Sequence, residues 1–159
     1  MNVNIDAVTM IQGMLAPAVM ISACGLLLLG MNNKYSIVVN RIRLLNEEKR
    51  KFAKKAGDAS FNFEEEVRLN SIDTQLGRLS ERVGIVRNAV LCYSLAAALF
   101  VLTSFFIGAG FLFAYGGIDV FVVIAFTLGM FMVLLGVGFA FMETKRGYEI
   151  VQYEIKSSD

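Results

Sequence analysis

All fifteen Lys and Arg residues of this chain lie in two stretches, residues 34–87 and 145–156. Outside them run three apolar blocks free of Lys, Arg, Asp and Glu, residues 7–31, 88–114 and 120–142. Each is long enough to cross a hydrocarbon core of ~30 Å as a helix, which takes roughly 20 residues. Hydrophobic residues make up 56% of the 159 positions, more than a soluble domain of this size can bury, so lipid must cover the remainder. The expected fold is an all-α membrane protein with three transmembrane helices.

The charge map also orients the chain. Residues 34–87 carry twelve basic and eight acidic side chains, a net of +4. The other short pieces, residues 1–6 and 115–119, carry Asp6 and Asp119 and no Lys or Arg. Positive charge stays on the cytoplasmic side. This predicts an extracytoplasmic N-terminus (1–6), spans at 7–31, 88–114 and 120–142, an outer turn at 115–119, and cytoplasmic segments at 32–87 and 143–159. A cleaved signal peptide would need a basic residue ahead of the first apolar block, and none precedes Lys34. Pro17 falls inside that block and is expected to kink a single span rather than to start it. Cys24 and Cys92 lie within apolar blocks and read as small packing residues. A disulfide at that depth beside a reducing cytoplasm is not expected.

The long cytoplasmic segment has the pattern of an antiparallel, coiled-coil-like helical hairpin. From Leu69 the apolar positions run Leu69, Ile72, Leu76, Leu79, Val83, Val86 and Val90, alternating steps of three and four. The same phase continues through Tyr93, Ala97 and Phe100 into the second apolar block, so one helix is expected from about Phe63 to Ala114. Upstream, Tyr35, Val38, Ile42, Leu45 and Phe52 form a weaker seam on a helix from about Lys34 to Ala56, with Lys49 at one apolar position. Gly57 suits a left-handed helix end, and Asn62 with Glu65 suits a capping box. Lys51, Lys54 and Lys55 at the tip are a candidate dock for a cytoplasmic protein partner. Nucleic acid is not expected, because no aromatic stacking residues accompany the basic ones. Lys34, Arg41, Arg43, Arg87, Lys145 and Arg146 are expected to anchor the chain at the inner headgroup layer of membrane lipid.

Within the membrane blocks, Ala125, Gly129, Gly136 and Ala140 fall on roughly one face of the third helix. Small residues let helix backbones approach closely, so this stripe is expected to be an oligomer-packing surface. Thr103, Ser104 and Thr127 are expected to bond to their own backbones. No charged residue lies in any block, which leaves no proton relay and no buried charge pair there. The chain has no His, and no set of side chains has the arrangement of a catalytic, metal or cofactor site.

The run Pro17-Ala18-Val19-Met20-Ile21-Ser22-Ala23-Cys24-Gly25-Leu26-Leu27-Leu28-Leu29, then Asn33 and Asn40-Arg41-Ile42-Arg43-Leu44-Leu45-Asn46, resembles a bacterial membrane family known as domain of unknown function 2721. Arg82, Arg87 and Leu102-Thr103-Ser104-Phe105-Phe106-Ile107-Gly108 resemble it too. The similarity covers most of the chain. It implies a small inner-membrane protein with three spans and brings no activity, substrate or catalytic residue.

Two functional classes fit these observations. The first is a non-enzymatic, homo-oligomeric scaffold or accessory subunit that works through its cytoplasmic hairpin. The second is a small homo-oligomeric ion channel or pore, lined by Gly, Ser and Thr, with a Lys/Arg ring at its inner mouth favouring anions. An enzyme is not expected.

Overall fold

The computed structural model describes residues 7–55, 63–113 and 117–156, and all of these except the turn residue Gly117 are α-helical. The helices are α1 (Ala7–Lys55), α2 (Phe63–Phe113) and α3 (Ile118–Lys156). Among the described residues there is no strand. Each helix contains a stretch long and apolar enough to cross a membrane. Only 17, 22 and 17% of the most apolar windows of α1, α2 and α3 is buried within the chain. Such outward apolar surface is what lipid would cover, which supports a multi-pass membrane protein.

The helix bounds differ from the sequence expectation in two places. A break near residue 32 was expected between the first apolar block and the hairpin arm, yet α1 runs unbroken for 49 residues. No Gly or Pro lies between residues 31 and 55, and Asn32 and Asn33 lower helix propensity by only a few tenths of a kcal/mol, roughly. Pro17 lies inside this helix, ten residues past its start, so it does not begin the helix. The third helix was expected to end with its apolar block at residue 142 and instead continues to Lys156. By contrast, α2 matches the expected long helix to within a residue, at 51 residues and about 76 Å. The turn signals at Gly57 and Asn62 lie outside the described residues.

A seven-residue period sets the inward face of every helix. On α1, Pro17, Cys24, Met31, Val38 and Leu45 are buried, and Met14, Ile21, Leu28, Tyr35, Ile42 and Lys49 are half-buried between them. On α2, Ile72, Val86, Tyr93 and Phe100 are buried with the same spacing around half-buried Leu79, flanked by buried Ala89, Ala96 and Thr103. On α3 the period is carried by Gly129, Gly136 and Glu143, all buried. Seven residues make two turns, so each set lies on one line along its helix.

The chain divides into two compact units, one from Met1–Met31 with Asn88–Phe139, the other from Asn32–Arg87 with Ala140–Asp159. In the first, Cys24, Ala96 and Phe100 are fully buried, with Met20, Ile21, Ala97, Phe126, Met132 and Val133 packed against them. The Phe100 and Phe126 rings lie 5.5 Å apart at a tilt of 60°. Close approach of α2 and α3 depends on glycine here. A Cβ on Gly129 would lie 2.8 Å from Cε1 of Phe100, and one on Gly136 would lie 2.6 Å from Cε1 of Tyr93. Thr103 donates its hydroxyl to the Leu99 carbonyl at 2.8 Å, as expected for a threonine on a helix in an apolar block.

The second unit holds the two arms of the hairpin and the end of α3. Near the tip Lys49 pairs with Asp73, and the Arg68 Nε donates to Glu48 Oε1 at 3.0 Å. Farther from the tip, Lys34 and Arg82 meet at Glu143. Residue numbers rise along α1 as they fall along α2, so the arms are antiparallel. The hairpin is thus accompanied by a third helix, which the two-seam reading did not foresee.

Candidate functional site

The second unit brings three charged side chains, one from each helix, to a single point. Glu143 is 1% exposed, the only charged side chain among the described residues that is buried. It follows the last apolar residue of its block, Met142, and its place in the seven-residue line after Gly129 and Gly136 turns it inward. Lys34 comes from α1, three residues past Met31, and Arg82 comes from α2, six residues before Asn88.

The geometry divides the carboxylate between the two cations. Lys34 Nζ donates to Oε2 at 2.9 Å. Arg82 donates to the other oxygen, Oε1, from Nε at 3.1 Å and from Nη2 at 2.6 Å. Burial alone would push the Glu143 carboxyl up, but the hydrogen bonds and charges of Lys34 and Arg82 outweigh it and hold the group below the usual carboxylate range. An ionised Glu143 is therefore the state these contacts select. No buried side-chain nitrogen or oxygen among the described residues lacks a hydrogen-bond partner.

The cations are less enclosed than the carboxylate. The Lys34 side chain is 47% exposed and that of Arg82 is 31% exposed, against 2% for Glu143. An ammonium has three N–H donors and a guanidinium five, so most of their donors remain free of Glu143. Beside them Arg146 Nη1 donates to Glu81 Oε2 at 3.1 Å across an exposed pair.

The remaining residues singled out from sequence fall into three groups. Of the six proposed headgroup anchors, Lys34 and Arg146 are paired as described, while Arg41, Arg43, Arg87 and Lys145 are exposed and make no ion pair among the described residues. On the hairpin seam, Ile72 and Val86 are buried, and Leu69, Leu76, Leu79 and Val83 are half-buried. At the tip, Lys51 and Lys54 are exposed and unpaired among the described residues, whereas the Lys55 side chain lies outside the described ones. The stripe proposed for oligomer packing faces inward within one chain. Ala125, Gly129 and Gly136 are buried there, and Ala140 is half-buried. Phe100 and Tyr93 of the same chain fill the two glycine positions.

Glu143 escaped the sequence reading because it stands alone at the end of an apolar block beside Lys145 and Arg146, where it looks like ordinary tail charge. The available signal was its distance of seven residues from Gly136. Arg82 is one of several basic residues of the hairpin, and nothing in its sequence surroundings marks it for a role.

Compared with known proteins, the chain is matched over residues 14–152 by the family model described as "Protein of unknown function (DUF2721)". No curated protein and no solved structure matches it.

Proposed function

This chain belongs to the DUF2721 family, and we propose that it is a non-enzymatic, homo-oligomeric scaffold or accessory subunit of a membrane complex. In this reading the N-terminus is extracytoplasmic, residues 32–87 form a hairpin in the cytoplasm, and the membrane is a bacterial inner membrane. The charge map supports that orientation.

The observation that carries the reading is how the hairpin spends its side chains. Apolar seam residues turn inward, and Lys49–Asp73 and Arg68–Glu48 tie one arm to the other. Exposed ion pairs of this kind contribute only ~0–1 kcal/mol each, so they set alignment more than stability. Arg50, Lys51 and Lys54 are left exposed and unpaired among the described residues. An arm whose internal contacts are satisfied, with a basic outer surface at its end, is suited to present that surface to an acidic protein partner.

The test is capture of cytoplasmic proteins by the full-length chain in mild detergent, with Lys51, Lys54 and Lys55 reversed to Glu. Specific capture that disappears in this variant supports the reading, provided membrane insertion is unchanged. Equal capture by the reversed chain removes the tip as the dock. Orientation is checked separately with Lys54→Cys in a chain whose Cys24 and Cys92 are replaced. Labelling of that cysteine by an impermeant reagent from outside intact spheroplasts overturns the topology.

A further inference from the structure

We infer that Lys34 and Arg82, held by Glu143, form a binding site for the phosphate of an anionic lipid headgroup. The inference rests on the membrane orientation proposed above and extends it to one place on the chain. Two cations share one carboxylate, so the cluster keeps a surplus charge of +1. Glu143 is enclosed and both its oxygens are engaged, which leaves it no face to offer a ligand. Each cation, by contrast, is partly exposed and has donors left over.

Glu143 therefore acts on the cations as a buried brace. It removes much of the freedom two long side chains would lose on binding, so less entropy is lost when a ligand arrives. Lys34 takes one carboxylate oxygen and Arg82 the other, so both charged groups are held beside the same carboxylate. A phosphate group, with several acceptor oxygens, can accept from both at once.

Position favours a lipid over a free anion as the source of that phosphate. Lys34, Arg82 and Glu143 come three, six and one residues beyond the ends of their apolar blocks. At 1.5 Å per residue that is within about 9 Å of the hydrocarbon edge, the layer where headgroup phosphates lie. Basic pockets between helices on the cytoplasmic side are suited to such headgroups.

The experiment reconstitutes the full chain into phosphatidylcholine vesicles doped with photoreactive phosphatidylglycerol or photoreactive phosphatidylcholine, and maps the adducts by peptide mass spectrometry. The expected result is several-fold more adduct from the anionic phosphatidylglycerol, concentrated on peptides containing Lys34 and Arg82. Arg82→Gln or Lys34→Gln should lower that adduct about fivefold, near 1 kcal/mol per cation, and Lys51→Gln should not. Equal labelling by the two lipids, or adducts spread along the hairpin, overturns the site. This wild-type comparison decides the matter even if Arg82→Gln fails to fold. Suppression by inorganic phosphate as effective as that by unlabelled phosphatidylglycerol overturns the lipid as source. A chain that does not float with the vesicles sinks the membrane reading itself, which is distinct from one that floats and labels without preference.

Discussion

Tyr93 and Gly136 show how much of the packing between α2 and α3 is decided by single atoms. A Cβ at Gly136 would stand 2.6 Å from the Tyr93 ring, and Tyr93 is itself 1% exposed, with no room to yield. Gly136→Ala should cost about 1–3 kcal/mol, seen as a lower Tm in detergent. Gly138→Ala, two residues on with nothing within 4 Å, should leave Tm unchanged or raise it. Replacing Gly136 by a bulky residue thus probes packing within one chain, not only the lining of a pore. Glu143→Gln should also destabilise the fold, by about 2–3 kcal/mol, seen as a lower Tm. It removes the charge that Lys34 and Arg82 share, but those cations are partly solvated, so the loss is smaller than the ~3–5 kcal/mol of a fully buried pair. Lys145→Gln, exposed and unpaired among the described residues, is the matched control and should change little.

Among the elements, the hairpin arms carry a mismatch that can be removed. Lys49 occupies a seam position on α1, seven residues after Ile42, and its exposed pair with Asp73 contributes ~0–1 kcal/mol at most. Lys49→Leu should hold or raise thermal stability, because apolar contact with the facing arm replaces a weak pair. A drop in Tm would show that Lys49–Asp73 matters beyond alignment. The α2 seam was legible because its three-four spacing never misses between Leu69 and Phe100. The continuity of α1 was harder to see. Asn32 and Asn33 look like a boundary, although Met31, Tyr35 and Val38 carry the same spacing straight across them. The extension of α3 was obscured by the change from apolar to charged residues after Met142. Tyr148, Val151 and Ile155 keep a three-four spacing there that could have revealed it. The charge cluster was illegible because its members lie 61 and 109 residues apart, and only packing brings them together.

For the whole molecule, the contrast between inward and outward faces bears on assembly. Large apolar side chains such as Leu26, Leu29, Phe105, Leu134 and Phe141 are each at least 67% exposed within one chain. Lipid can cover them, and so can further copies of the chain. We expect oligomers in mild detergent, with light scattering giving a protein mass that is a multiple of 17.5 kDa. A single-chain mass would refute homo-oligomerisation. Because Gly129 and Gly136 are already occupied by Phe100 and Tyr93, the surfaces available for such contacts are the outward ones. Substitutions there, such as Leu134→Trp, should alter the mass without altering the fold.

The buried line of Pro17, Cys24, Met31, Val38 and Leu45 also makes the length of α1 a quantity that comes in units. One residue inserted after Met31 would turn everything beyond it by about 100°, carrying Val38 and Leu45 off the buried line and bringing Arg41 to the half-buried place of Ile42. Seven residues would restore the line, displaced by about 10.5 Å. A chain with one added alanine there should misassemble and be degraded in cells. One lengthened by seven on α1, with a matching seven on α2 between Val86 and Arg87 and on α3 between Phe139 and Ala140, keeps Lys34, Arg82 and Glu143 together and should accumulate at near-normal levels. Helices built this way can change length in steps of two turns, and any other step breaks the agreement between what faces lipid and what faces a neighbouring helix.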